Sequence, residues 1–404
     1  MTKAFQHLKA YYFPIFLITS IIAGSLTGFM LGHTAIFLKP LGDIFLNLIF
    51  TAIVPLVFFS ISASVTRIGS TKQLGAVLSR MFAIFVFTGI LAAVFMLCVV
   101  KLFPPAQSAF IQLAIPDKMG AINLADQLVN AFTVTDFGKL LSHNSMLPLI
   151  FFSLLVGIST AMAKAKGEAF ARFLQAGADV FMQLVTVIMY FAPIGFFAYF
   201  AVLIGDTGPQ LLQNYVRVML IYYPSALVYF ALAFTLYAYL AGGMKSVATF
   251  WKNILVPALT SLSTCSSAAS IPANLQATKN MGVSAAIYET VIPMGAILHK
   301  DGSILGAIIK IAFLFGIFHM SFTGPVVLLT ALVVALLAGT VMGAIPGGGM
   351  LGEMLILSLY GFPPQALIVI AAISIIIDPL ATMLNVTGDA VCSMLVDRLS
   401  EPAK

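Results

Sequence analysis

The chain has 404 residues, of which 61% are hydrophobic and only 8% charged, with a mean hydropathy of +1.07. So few charges cannot cover a water-facing surface, for which soluble domains use about 25%, and disorder is excluded because it needs low hydrophobicity and high charge. The net +6 contains no Lys/Arg cluster suited to nucleic acid, and Cys98, Cys265 and Cys392 form neither a metal-ligand spacing nor a disulfide framework; what remains is a polytopic membrane protein.

Apolar runs at 11–33, 44–65, 81–103, 146–163, 173–204 and 215–240 suit a hydrocarbon core about 30 Å thick, which takes roughly 20 helical residues. The first run has a basic start, as a signal peptide does. It is longer than the apolar core of such a leader, about 7–15 residues, so it is read as a spanning helix. Alternating these spans from an inside N-terminus puts twelve Lys/Arg inside, among them Lys3, Arg67, Lys72, Arg80, Lys164, Lys166 and Arg172. Five lie outside: Lys39, Lys101, Lys118, Lys139 and Arg217. That bias predicts N-in and C-in topology in the cell inner (plasma) membrane. Residues 104–143, with prolines and several polar residues, read as one long external loop.

From about residue 253 the pattern changes. An apolar arm runs into Ser-Leu-Ser-Thr-Cys-Ser-Ser-Ala-Ala-Ser at 261–270, and the next segment is interrupted by His299-Lys300-Asp301-Gly302-Ser303. The unit then repeats: an apolar arm, an Ile-Pro-Gly-Gly-Gly tip at 345–349, a returning arm, and a helix carrying Asp378, Thr382, Asn385 and Asp389. Non-helical backbone at membrane depth survives only where protein or a water-filled cavity satisfies it. Paired interrupted segments point to the binding site of a secondary transporter. The four polar residues recur at i, i+4, i+7 and i+11, one stripe of a helix. Two carboxylates, a hydroxyl and an amide on that stripe suit a hard cation or an ammonium group, and ionisable groups at this depth are functional by default.

The run Asp378-Pro-Leu-Ala-Thr-Met-Leu-Asn-Val-Thr-Gly-Asp389 resembles the last-helix signature of the dicarboxylate/amino acid:cation symporters, the glutamate-transporter family. The 299–303 break occupies the place of the family's Asn-Met-Asp-Gly-Thr motif, and the tips at 263–270 and 345–349 resemble its two re-entrant hairpins. Pro55, Thr88 and Ala192-Pro193-Ile194-Gly195 extend the likeness over the chain. The resemblance implies an all-α polytopic membrane fold: eight transmembrane helices plus two re-entrant helical hairpins with inverted repeats, assembled as a homotrimer. Residues 1–252 are then mainly scaffold, with helix 3 in the moving part. Residues 253–404 form the transport core: hairpin 253–284, helix 285–320, hairpin 325–364 and helix 365–398.

Carried over by residue, the resemblance gives the substrate's amino group to Asp378, aided by Thr382. The substrate's carboxylate goes to Asn385 and to the tips, at Ser266, Ser267, Gly347 and Gly348. It gives one Na+ to Asp389 with carbonyls of Gly295, His299 and Asn385, and a deeper Na+ to Asp301 and Thr88. The expected activity is symport, by an elevator movement, of a small amino acid or dicarboxylate with Na+ or, alternatively, H+. No enzymatic activity, organic cofactor or nucleic-acid partner is expected. Departures carry information too. Ala381 stands where an arginine usually receives an acidic side chain, and Cys265 at an alternative arginine position, which favours a neutral amino acid. Without a guanidinium fork a buried second carboxylate is left unpaired, unless Lys300 meets it. Lys300 replaces a methionine, His299 an asparagine and Gly89 a hydroxyl ligand, so His299, Lys300 and Glu353 are candidates for an altered coupling site. Two other readings stay open: an intramembrane protease using Ser266 or Cys265 with Lys300, or Asp301 with Asp378, and a passive anion or solute channel with a filter at 347–349.

Overall fold

The computed structural model describes residues 2–66, 72–106, 133–142, 145–207, 210–343 and 349–400. Every extended element among them is a helix, as expected where apolar surroundings leave the backbone no water to bond. In chain order these are α1 (Thr2–Leu31), α2 (Lys39–Thr66), α3 (Lys72–Leu102), α4 (Met146–Met162), α5 (Glu168–Met189), α6 (Ala192–Thr207) and α7 (Gln210–Asn253). The C-terminal part holds α8 (Leu255–Thr264), α9 (Ser267–Asn280), α10 (Ala285–Leu298), α11 (Asp301–Ile317), α12 (Pro325–Gly343), α13 (Gly349–Tyr360) and α14 (Ala366–Ser400). Five helical stretches among the described residues are long and apolar enough to cross a membrane.

Two boundaries differ from the sequence expectation. The single span foreseen at 173–204 is two helices, α5 and α6, broken at Tyr190–Phe191. Pro193 has no N–H and its ring crowds the preceding turn; Tyr190 and Phe191 bond back to Val187 and Ile188 in a tighter i→i−3 turn. Inside α7, Gly243 has φ 69° next to an extended Gly242, and the chain reverses there. Residues 16 apart on a straight helix would stand about 24 Å apart, yet Trp251 Nε1 donates to Thr235 Oγ1 at 3.0 Å. Phe250 and Trp251 close edge-on against Phe234 and Phe230. The arm leading to the first hairpin tip therefore starts at Met244, ahead of the foreseen 253.

Packing divides the helices. On one side α1 lies along α6, and α2 along α4, α5 and α6. Gly24 and Gly28 make the α1–α6 crossing close: an added Cβ would stand 2.3 Å from Phe197 O and 2.2 Å from Ala201 O, so only glycine fits. On the other side α3, α8 to α11 and α13 gather around α14, with α7 packed on it and α12 on α11 and α13. In the most apolar window of α14, 72% of residues are buried, against 22% for the stretch from Thr19 to Phe45. Nearly all of α11 is buried too, as a helix apolar all round must be.

The first hairpin tip is a two-residue turn. Cys265 closes α8 in the left-handed conformation, φ 47°, and its N–H donates to Ser261 O. Ser266 then caps α9, its hydroxyl accepting from Ala269 N at 3.2 Å. The second tip falls largely outside the described residues, and Gly347 and Gly348 with it; its arms α12 and α13 pack on each other and on α11.

Candidate functional site

The helix foreseen from 285 divides at His299 and Lys300, both in non-helical conformations. This leaves the first amides of α11 without helical partners. Asn385, from α14, supplies one: its Oδ1 accepts from Gly302 N at 2.9 Å and Ser303 N at 3.3 Å, and its Nδ2 donates to Ser303 Oγ at 3.0 Å. Tyr222 OH of α7 donates to Gly302 O at 2.9 Å. Asn385 was expected to hold a substrate carboxylate and to give a carbonyl to a sodium site; here its side chain caps α11, because the break exposes two adjacent amides within its reach.

The polar stripe of α14 faces this break as its spacing requires. Beside Asn385, Asp389 Oδ1 meets His299 Nδ1 at 3.0 Å. The other ring nitrogen, Nε2, lies 3.0 Å from Thr88 Oγ1 of α3 and 3.1 Å from Asp301 Oδ1. Tyr229 OH donates to Asp301 Oδ2 at 3.2 Å and lies 3.0 Å from Tyr237 OH. Cys392 Sγ stands 3.7 Å from Nε2, and the Phe85 ring lies 4.7 Å from the imidazole, centroid to centroid. All of His299, Asp301, Asp389 and Thr88 are buried. Gly388 and Gly295 make the fit: a Cβ on Gly388 would stand 2.6 Å from His299 Cε1, and one on Gly295 2.5 Å from Asp389 Oδ1.

Lys300 is also buried. Its Nζ donates to Ala296 O at 2.7 Å and to Ser267 Oγ at 3.1 Å, which ties the break to the first hairpin tip. Asp378 is the open member of the stripe: its side chain is exposed and accepts from Thr382 Oγ1 at 3.1 Å. Ala381, one residue before Thr382, is buried, with its carbonyl against Gly302. Ser266 and Ser267 are half-buried at the tip. Glu353 does not join this group. On α13 it pairs with Lys310 of α11 at 3.2 Å, and both bond Ser374 of α14. Lys310 is fully buried in that pair.

The sequence reading missed Tyr222, Tyr229, Tyr237 and Cys392. The three tyrosines sit 7 and 8 residues apart on α7, a helical repeat of hydroxyl groups inside an apolar span that could have signalled them. Among the described residues no group of three or more His, Cys, Asp and Glu is arranged to hold a metal ion. The donors named for a deeper sodium, Thr88 and Asp301, have the His299 ring between them and so do not fit that ion.

The profile of the sodium:dicarboxylate symporter family matches residues 13–399. Similar proteins include a proton/sodium-glutamate symport protein of Bacillus caldotenax, 28% identical over 90% of this chain and 88% of that one. A C4-dicarboxylate transport protein of Rhizobium etli is 27% identical over 96% of this chain and 90% of its own. A proton/sodium-glutamate symport protein of Bacillus subtilis is 25% identical over 96% and 94%. All three are transport proteins by name, in keeping with the expectation of a carrier and not an enzyme. The match over almost the whole chain, on an all-helical membrane fold, makes this chain a member of the sodium:dicarboxylate symporter family.

Proposed function

We propose that the protein is a secondary active symporter carrying a small amino acid or dicarboxylate across the inner (plasma) membrane with a cation, Na+ or H+. The observation that carries the substrate part of this reading is Asp378. It is the exposed carboxylate on an otherwise largely buried helix, steadied by Thr382, and it suits an ammonium group. Names of similar proteins specify glutamate and C4-dicarboxylates, which favours an anionic or zwitterionic solute. Ala381 offers no partner for a second carboxylate, so a neutral amino acid is preferred. Lys300 is the alternative partner, since two of its three donors are used by Ser267 and Ala296.

Movement is read as an elevator. The division of packing between α1, α2, α4, α5 and α6 on one side and α3 with α8 to α14 on the other supports a scaffold mostly within 1–252 and a transport core in 253–404. The homotrimer and the N-in, C-in orientation belong to the same reading. Its test is Asp378→Asn, which keeps shape and removes charge. Amino-acid uptake is expected to fall about 10- to 100-fold, the worth of a hydrogen bond to a charged group, while a C4-dicarboxylate lacking an amino group is affected less. Undiminished amino-acid uptake would overturn the role given to Asp378.

A further inference from the structure

The oxygens that gather around His299 belong to three separate helices. Thr88 comes from α3, Asp301 from the start of α11 and Asp389 from α14, and their oxygens lie 3.0, 3.1 and 3.0 Å from ring nitrogens of one imidazole. Hydroxyl and carboxylate oxygens converging from different helices are the donors a hard cation takes. Here the convergence point holds a side chain of the chain itself. A carboxylate only accepts, so the ring donates to Asp389 through Nδ1, and Nε2 faces both Thr88 Oγ1 and Asp301 Oδ1. Thr88 Oγ1 lies 3.0 Å from Nε2 and donates to Phe85 O at 3.3 Å. The ring is also held sterically, between the Phe85 face and the surface that Gly388 leaves bare. Asp301 Oδ1 has no hydrogen-bond partner among the described residues and faces the ring nitrogen Nε2 at 3.1 Å.

We infer that the His299 ring occupies the seat formed by Thr88, Asp301 and Asp389, so that no Na+ enters there and any sodium coupling uses fewer ions. The seat has meaning only within the symporter reading, but its occupancy is decided by ion binding alone.

The experiment titrates NaCl against choline chloride at constant ionic strength on the purified full-length protein and reads the thermal unfolding midpoint. Wild type and three variants, His299→Asn, His299→Gln and Thr88→Ala, are compared. The inference predicts that Thr88→Ala leaves any sodium response of the wild type unchanged, since that ion would sit elsewhere. It also predicts that His299→Asn, which withdraws the ring, adds a saturable Na+-dependent rise of about 2–4 °C, the size expected of a ligand at roughly a hundred times its dissociation constant. A wild-type sodium response weakened tenfold by Thr88→Ala would overturn the inference, and so would a folded His299→Asn that gains none. If His299→Asn does not fold, His299→Gln and the Thr88→Ala comparison decide by the same criteria. A protein silent in every uptake assay would lose the symporter reading, while the sodium titration would still settle the seat.

Discussion

Asn385 makes three hydrogen bonds across the contact of α14 with the start of α11, and its loss would strand the buried Gly302 amide and the half-buried Ser303 amide. Asn385→Ala is expected to lower stability by about 1–3 kcal/mol, read as a lower unfolding midpoint, and to do so with no substrate present. Cys265 is a residue with a Cβ in left-handed backbone, φ 47°, where glycine pays no steric penalty. Cys265→Gly is therefore expected to leave the fold intact and to gain about 1 kcal/mol at the first tip, visible as a higher midpoint. At this scale the sequence was informative about which residues face inward, because the period of a helix alone aligns Asp378, Thr382, Asn385 and Asp389. It was uninformative about what each one touches. Asn385 was matched to a ligand by analogy; that its side chain meets backbone amides at the break depends on a geometry no spacing encodes. His299 was legible as an oddity in its motif; that its ring reaches α3 and α14 at once depends on the packing of three helices.

Between elements, the Lys310–Glu353 pair joins α11 to α13, and through Ser374 to α14, entirely within the core. Removing one charge leaves the other buried and alone, which costs about 3–5 kcal/mol, whereas replacing both with apolar side chains is often neutral. Lys310→Met is thus expected to be severely destabilising and Lys310→Met/Glu353→Leu to recover most of that loss, as measured by unfolding of both variants. A double-variant loss equal to the sum of the Lys310→Met and Glu353→Leu losses would show that the pair does not act as a unit. On the other side of the molecule, Gly28→Leu would drive a side chain into the Ala201 carbonyl. It is expected to separate α1 from α6 and cost about 3 kcal/mol or more, seen as loss of monodisperse protein. Most helix limits could be read from apolar runs, and the break at 299–303 from its polar residues. The reversal at Gly242–Gly243 was hidden because both flanking stretches are apolar. Two adjacent glycines inside a span indicate weakness in a helix, and only the contacts of Trp251 with Thr235 and Phe230 reveal a turn.

At the scale of the whole molecule, composition alone excluded a soluble protein, and two interrupted units in tandem indicated a transporter core. The contrast between the buried α14 and the more exposed stretch from Thr19 to Phe45 could not be read from hydropathy, because lipid and protein interior select the same apolar side chains. The central claim is coupled transport, and the most direct test is uptake into liposomes containing the purified protein. Neutral and acidic amino acids and C4-dicarboxylates would each be offered under a Na+ gradient, a proton gradient and no gradient. The account predicts saturable uptake of at least one of these solutes that requires a cation gradient, with a neutral amino acid preferred over an acidic one. Uptake that is equally fast without any gradient, or none under all three conditions, would contradict it.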